Sequence, residues 1–303
     1  MIALDKRCGS VQAQFRPSEG GRLARLSYRG VELVLPPGRV PGYYGDTFWP
    51  SPQSLFDWPP PPVLDAAPYE ILDQSTTSLA MRSAVDPDYG LQVSKHFELH
   101  EDSVTFGFVV TNTWPRAHAV APWQVTRAPR SGLLVWAVGQ AFHDEDRLSK
   151  QREDPGCTYL HAQSDKDFEG YSVAGAHASI PVPAVTRTSK FFTDARGWVA
   201  HVHDGVIFLR VFPDLSLDQM APRQAELELF FGLERDYIEL ENQGAHETLA
   251  PGASLTYEVE WRFAPVDPGL QTDRISPELL EAIDALLERT RPSDPRDRAA
   301  PPG

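Results

Sequence analysis

Cysteines, basic residues and long apolar runs are all scarce in this sequence. Two of the 303 residues are cysteines, too few for a disulfide framework. Cys8 and Cys157 also have no zinc-binding spacing, so we expect two free thiols. The 28 basic and 42 acidic residues give a net charge of −14, which opposes nucleic acids and anionic membranes as partners but is compatible with a neutral ligand. No cofactor is predicted.

Membrane-spanning and secretory patterns are absent as well. No stretch approaches the roughly 18 apolar residues that a membrane-spanning helix needs. The first ten residues, MIALDKRCGS, lack the apolar segment of a secretory signal. These absences predict a cytoplasmic protein without a membrane partner.

Helical periodicity is missing before the last thirty or so residues. Instead, 28 prolines and 21 glycines separate short alternating runs, a pattern typical of an all-β chain with many turns. We therefore predict one large antiparallel β-sandwich domain over residues 1–291. It ends in a helix at about 276–291, because Ser276 is a good N-cap and Pro277 fits the first turn. A disordered tail is predicted at 292–303.

Two carboxylates share one face of a predicted strand. In YIELEN, Glu239 and Glu241 alternate with the apolar residues Ile238 and Leu240. Like charges about 7 Å apart repel and are costly to bury unpaired, so they need water, cations or a polar ligand. Two interpretations remain open: the solvated face of an edge strand, or a ligand site.

A segment rich in proline and aromatic residues, 42–72, is predicted to be a long ordered loop. Its prolines prevent a continuous strand or helix, and burial of its aromatic rings can offset the entropy of ordering. Two roles remain open for it. The loop either plugs one end of the sandwich or brings Asp46 and Trp49 to a ligand.

Histidines and acidic residues occur together at two places that could suggest a metal. His143 to Asp146 read HDED, but adjacent loop residues point in different directions and no ligand spacing repeats. His201 and His203 share one strand face, which is more typical of a half-exposed strand than of a ligand pair. No metal site is predicted.

Three stretches resemble aldose 1-epimerase (galactose mutarotase-like) proteins, and most closely an uncharacterised branch of that superfamily. They are the GGRLARLSYRGVELVL opening, the GDTFWPSPQS run and the Glu-bearing strand that continues through LAPG into an aromatic strand, at residues 20–35, 45–54 and 237–262. The resemblance implies a mutarotase-type supersandwich that acts on a monosaccharide or sugar derivative. The family's general base is a Glu on the strand before such a loop, and Glu241 matches it.

The strand from His118 to Arg127 departs from the family pattern. Aldose epimerases carry a catalytic histidine here within an HxYF-like run, whereas this chain has Trp123 and Gln124. The identity of the general acid therefore stays open. The candidates are Lys190, His118, His201 and a protonated Glu239.

We expect the sugar to bind on a concave sheet face, where a Trp ring covers the apolar side of a pyranose and carboxylates accept from its hydroxyl groups. Strand alternation puts Gln124 and Arg127 on opposite faces, so both reach one ligand only if a bulge intervenes. The predicted substrate contacts are Asp46, Trp49, Gln124, Arg127 and Glu239, beside Glu241 and Lys190.

Three functions are compatible with this pattern. The first is an aldose 1-epimerase-like isomerase with Glu241 as the general base. The alternative is a carbohydrate-binding or sensing protein on the same fold, in which Glu241 only accepts hydrogen bonds. A lyase or hydrolase fits less well, because two carboxylates on one strand face do not straddle a bond.

Overall fold

The structure, a computed structural model, describes residues 3–56, 58–140, 157–161, 168–232, 234 and 236–289. About half of these residues form strands, as the alternating runs predict. In chain order the strands are β1 (Leu4–Cys8), β2 (Val11–Arg16), β3 (Arg22–Tyr28), β4 (Val31–Glu32), β5 (Asp46–Ser51), β6 (Glu70–Gln74), β7 (Ser78–Arg82), β8 (Leu91–Leu99), β9 (Ser103–Asn112), β10 (His118–Pro129), β11 (Leu133–Ala137), β12 (Thr158–His161), β13 (Ser172–Ala174), β14 (His177–Pro181), β15 (Ser189–Thr193), β16 (Trp198–His203), β17 (Val206–Val211), β18 (Leu227–Gly232), β19 (Tyr237–Gln243), β20 (Glu247–Leu249) and β21 (Ser254–Pro265).

The described strands form two large sheets, which confirms the predicted antiparallel β-sandwich. The first has 11 strands, in the order β1-β2-β3-β5-β10-β19-β18-β15-β12, with β4 on β3 and β20 on β10. The second has 10 strands, in the order β13-β14-β11-β16-β17-β21-β9-β8-β7-β6. Among the described strands, β12 and β15 pair in parallel, and the other pairs are antiparallel.

Alternating side chains explain why the two sheets pack face to face. In β9 the apolar residues Val104, Phe106, Phe108 and Val110 all point into the core. Its neighbour β21 contributes its own alternate residues, Leu255 to Phe263, to the same core. Each such side chain contributes roughly 1.5–3 kcal/mol when fully buried, so the period of two fixes which face points inward. The predicted Asp204-Gly205 hairpin between β16 and β17 is present, and both turn residues have positive φ.

The predicted C-terminal helix is confirmed as α2 (Pro277–Leu287). The Ser276 side chain accepts the Leu279 N–H, as an N-cap should. Its apolar stripe packs on β16, β17 and β21, and Arg262 of β21 donates to the carbonyl oxygens of Leu286 and Leu287 at the helix end. The tail at 292–303 lies outside the described residues. No helix of the described part of the chain is long and apolar enough to cross a membrane.

The proline-rich segment is ordered where it is described. The prediction of a loop is wrong for residues 46–51, which form β5, because Pro50 lies opposite Pro122 of β10 and the residues around it still pair. After β5 the segment forms a 3-10 turn at Gln53–Leu55 and a single helical turn, α1 (Pro62–Asp65), and then enters β6 of the other sheet. Leu64 is buried in the main core, which anchors the end of the segment. The residues from Pro52 to Asp65 are called the arm below.

Candidate functional site

The predicted acidic strand, β19, lies inside the 11-stranded sheet rather than at an edge. The neighbouring residues Ile238 and Leu240 pack in the core between the sheets, so Glu239 and Glu241 point away from it. The side of the sheet that faces away from the second sheet is called the outer face. Glu241 is only 1% exposed there and Glu239 is 8% exposed. The interpretation of a solvated edge strand is therefore excluded.

Strand pairing brings four of the predicted residues to the outer face around Glu241. Residues opposite one another on paired strands point to the same side. Arg127 of β10 lies opposite Glu239, and Trp123 lies opposite Trp49 of β5. Lys190 lies on β15, two strands from β19 in the sheet, and its side chain extends to Glu241.

Lys190 lies between two buried carboxylates. Its Nζ atom is 2.9 Å from Glu241 Oε2 and 2.7 Å from Glu228 Oε2. Glu241 Oε2 also accepts a hydrogen bond of 3.0 Å from Trp123 Nε1. The ammonium lies 5.0 Å from the centre of the Trp123 ring, a cation–π distance. We call Lys190, Glu228, Glu241 and Trp123 the lysine cluster.

One ammonium cannot neutralise two carboxylates, and this imbalance sets the protonation of the lysine cluster. The pKa of Glu241 is raised to about 8: burial is the largest cause, Lys190 opposes it, and the Glu228 and Glu239 charges add to it. Burial also raises the pKa of Glu228. For Lys190, burial alone would lower the pKa, but the two carboxylates outweigh it and raise the pKa above the usual value.

Arg127 forms a second buried ion pair on the outer face. Its Nε donates to Glu239 Oε1 at 2.8 Å, and its guanidinium carbon lies 5.2 Å from the Trp49 ring centre and 5.8 Å from that of Tyr43. The Nη1 atom is buried and has no hydrogen-bond partner in the structure. A buried donor without a partner is costly, which is the condition expected of a group that a ligand completes.

Indole rings cover the lysine cluster on one side. The Trp49 ring meets Trp123 edge to face, with ring centres 5.2 Å apart. Trp49 Nε1 donates to Asp65 Oδ1 of the arm at 2.8 Å, and Phe56 of the arm packs against the two rings. The arm therefore lies over part of the outer face and fixes the Trp49 ring there.

Glu228 is the member of the lysine cluster that sequence reasoning missed. It lies on β18 opposite Glu241 and is fully buried. Its Oε1 atom accepts from the Ala225 N–H and from Gln243 Nε2. The signal was available, because in AELELFFG the carboxylates alternate with leucines as they do in YIELEN.

Asp46 and Gln124 are not brought to the outer face. The β10 ladder with β5 and β19 runs without a register shift, so alternation turns Gln124 inward while Trp123 and Arg127 point outward. Gln124 Nε2 donates to Asp46 Oδ2 at 3.0 Å between the two sheets, and Gln124 Oε1 accepts from Arg210. The bulge that would let Gln124 and Arg127 reach one ligand together is absent from these described strands.

The two histidines considered as acids are also elsewhere. His118 lies at the far end of β10, buried, with its ring stacked 5.0 Å from that of Trp114. His201 lies in the 10-stranded sheet, where its Nε2 atom is 2.7 Å from the Ser131 carbonyl oxygen. Burial lowers the pKa of both imidazoles. Neither ring contacts the lysine cluster.

One group of carboxylates in the described residues has metal-ligand spacing, Asp194, Asp214 and Glu226. Glu226 already accepts backbone N–H groups from Ala195, Gly197 and Leu215, so its oxygens have a structural use. His143 to Asp146 lie outside the described residues.

Two open cavities, of about 520 and 430 Å³, lie away from the lysine cluster and have neither Glu241 nor Lys190 among their lining residues.

The arrangement of two large sheets with a C-terminal helix is the galactose mutarotase-like fold. The chain belongs to the family described as a domain of unknown function (DUF4380), whose model matches residues 42–264. No curated protein matches the sequence.

Solved structures of similar fold carry related descriptions. A galactose mutarotase-like protein from Lactobacillus casei ATCC 334 superimposes with a TM-score of 0.60 at 10% identity, over 87% of this chain and 100% of that one. A galactose mutarotase-like protein from Clostridium acetobutylicum gives 0.55 at 12%, over 87% and 95%. A galactose mutarotase related enzyme from Lactobacillus acidophilus gives 0.52 at 9%, over 89% and 100%. These identities support the fold alone, and the predicted resemblance is confirmed at that level.

Proposed function

We propose that the protein is a carbohydrate-active isomerase of the aldose 1-epimerase type, with Glu241 as the general base and Lys190 as the proton donor. The observation that carries the proposal is the 2.9 Å contact between a buried carboxylate and a buried ammonium beside an indole ring. The two groups are close enough to act on two oxygens of one sugar carbon, and the Trp123 ring offers an apolar surface for the sugar.

The proposed reaction opens and recloses the ring at the anomeric carbon. Glu241 takes the proton of the anomeric hydroxyl, the bond from the anomeric carbon to the ring oxygen breaks, and Lys190 gives a proton to that ring oxygen. The open aldehyde then turns about its bond to the next carbon. Lys190, now an amine, takes the proton back from the hydroxyl as that oxygen attacks the other face, and Glu241 returns its proton to the aldehyde oxygen. Protons and charge balance over the cycle.

The electrostatics of the lysine cluster suit these roles. A general base works best when its pKa is near the working pH, and burial gives Glu241 a pKa of about 8. The two carboxylates raise the pKa of Lys190. When Glu241 takes the proton of the anomeric hydroxyl, one of these charges is neutralised, so Lys190 becomes a stronger acid in the step that protonates the ring oxygen. His118, another candidate acid, lies seven residues along β10 from Val125, the residue opposite Glu241.

A second candidate function is a binding or sensing protein. Two observations favour it: Glu241 is almost fully buried beneath its own partners, and Trp123 and Gln124 stand where the family's catalytic histidine is expected. In that case Glu239, Arg127 and Trp49 hold a sugar on the outer face, and Glu241 only fixes Lys190 and Trp123 in position.

Anomer exchange followed by NMR separates the two functions. On a panel of free and phosphorylated aldoses, the wild type is expected to exchange anomers faster than buffer for at least one sugar. Glu241→Gln should lower the rate by 100-fold or more, since a general base contributes about 10²–10⁴-fold. Glu239→Gln should mainly weaken binding through loss of its pair with Arg127.

Glu70→Gln, an exposed carboxylate on β6 of the other sheet, is the control and should leave the rate unchanged. A wild type that binds a sugar but exchanges it no faster than buffer would leave the binding function in place of the enzyme. If Glu239→Gln abolishes exchange while Glu241→Gln only weakens binding, the base has been assigned to the wrong carboxylate.

The pH profile provides an independent prediction. The rate is expected to rise with pH to a midpoint near 8, because Glu241 must be ionised to act as a base and burial raises its pKa to about 8. Glu228→Gln should move this midpoint to lower pH, since the Glu228 charge raises the pKa of Glu241 and competes with it for Lys190. A midpoint that is the same in both proteins would show that Glu241 does not control the rate.

A further inference from the structure

Trp58 of the arm is exposed although it lies next to the outer face. It is the one aromatic residue among the large hydrophobic side chains with high exposure in the described part of the chain, and half of its surface, 51%, faces solvent. A single exposed apolar side chain is ordinary on a protein surface, so what distinguishes Trp58 is its place beside the outer face.

The Trp58 ring continues a row of indoles that starts at Glu241. Trp123 donates to Glu241, and Trp49 meets Trp123 edge to face at 5.2 Å. Trp58 in turn meets Trp49 edge to face at 5.7 Å. Exposure rises along the row, from 1% at Trp123 to 4% at Trp49 and 51% at Trp58. The row therefore leads from the buried carboxylate to open solvent by way of Trp49.

The position of Trp58 is restricted by its neighbours in the chain. Four prolines follow it, Pro59 to Pro62, and their fixed φ angles leave the backbone little freedom. Pro60 and Pro61 are buried, and α1 begins directly after them with Leu64 in the core. A ring presented in this way loses little conformational entropy when a ligand covers it.

We propose that Trp58 is a stacking platform for a second sugar unit, so that the substrate is a reducing-end oligosaccharide of two or more pyranoses rather than a free monosaccharide. The reducing unit lies at Glu241 and Lys190, and the next unit covers the exposed indole face. An indole suits this role because the axial C–H groups of a pyranose form a flat apolar patch, while its hydroxyl groups remain in water. This inference rests on the proposed function for the sugar class of the ligand and for the position of the reducing unit.

Binding measurements on matched sugars test the platform. The probes are glucose with maltose and cellobiose, galactose with galactobiose, mannose with mannobiose, and galacturonate with digalacturonate. We expect at least one disaccharide to bind about tenfold more tightly than its monosaccharide, which is the effect of one good aromatic contact. Saturation-transfer NMR should place the non-reducing unit against an aromatic ring.

Three variants separate the platform from a structural role. Trp58→Ala should remove the disaccharide advantage and leave the monosaccharide affinity within about twofold, Trp58→Phe should retain much of the advantage, and Val173→Ala, an exposed apolar residue of β13 in the other sheet, should change neither. The proposal is overturned if no probe binds, if the wild type binds monosaccharide and disaccharide equally, or if Trp58→Ala weakens both to the same extent. Anomer exchange is measured separately. If Trp58→Ala changes binding but the wild type does not exchange anomers, the enzyme function is rejected and the platform is kept. If the wild type exchanges anomers but Trp58→Ala does not change binding, the platform is rejected and the enzyme function is kept.

Discussion

Replacing Lys190 by methionine is expected to lower the free energy of unfolding by about 3–5 kcal/mol, the usual cost of removing one partner from a buried ion pair. The ammonium has Glu241 at 2.9 Å and Glu228 at 2.7 Å, and both carboxylates are almost inaccessible to water. Without it, two like charges would face each other across β18 and β19. The melting temperature should fall by about 10 °C, which calorimetry can measure.

The same variant has a pH dependence of definite sign. Burial raises the pKa of both carboxylates, so in the folded state they bind protons at a higher pH than glutamates of the unfolded chain do. The stability deficit of Lys190→Met is therefore present at high pH and should shrink as the pH falls. Adding Glu228→Gln to Lys190→Met should recover part of the loss, because only one unpaired carboxylate remains. A deficit that stays constant between about pH 5 and pH 9 would contradict the charge imbalance.

Replacing Arg210 by methionine is expected to have an effect of similar size, about 3–5 kcal/mol, from the core between the sheets. The Arg210 guanidinium is fully buried and donates to the Leu240 carbonyl oxygen, to Gln124 Oε1 and to Asn242 Oδ1. Burial lowers its pKa to about 10, so it still carries its charge at neutral pH. Its charge also acts on Asp46: burial raises the pKa of that carboxyl, and Arg210 is the largest of the effects that oppose the rise.

The control for Arg210 is an exposed ion pair on the same protein. Arg25 pairs with Glu32 at 2.6 Å but both side chains are well exposed, so Arg25→Ala should cost less than about 1 kcal/mol. Asp46→Asn combined with Arg210→Met should be more stable than Arg210→Met alone, because the uncompensated charge is gone. We call Arg210, Gln124, Asn242 and Asp46 the core network. If urea unfolding gives equal losses of unfolding free energy for Arg25→Ala and Arg210→Met, the core network contributes no more than a surface pair.

The core network also explains an observation at the outer face. Gln124 and Asn242 belong to the network, and they alternate along β10 and β19 with Trp123 and Glu241. Hydrogen bonds on the inner side of these strands fix their register, and a shift of one residue would exchange the two faces. Gln124, which the sequence assigns to a ligand, thus helps to hold in place the residues that lie around Glu241 on the opposite face.

The sequence by itself determined most of the strands, though not β5, and also the hairpin turn at Asp204-Gly205 and the helix after Ser276. These features depend on local periodicity, turn chemistry and capping, which a chain carries in its own residues. It also determined that Glu239 and Glu241 share a face, since the period of two is a property of one strand.

Only the tertiary structure decided what each face of a strand contacts. Periodicity puts Gln124 and Arg127 on opposite faces of β10, but it does not tell which face meets the second sheet. It therefore could not predict that Gln124 points inward and Arg127 outward. Periodicity also could not predict that Glu228 lies beside Glu241. Lys190 joins the two carboxylates across β15, β18 and β19, and the pairing of these strands depends on residues that are far apart in the chain. Burial of the whole cluster, which raises the pKa of Glu241, exists only when the strands have assembled and excluded water from it.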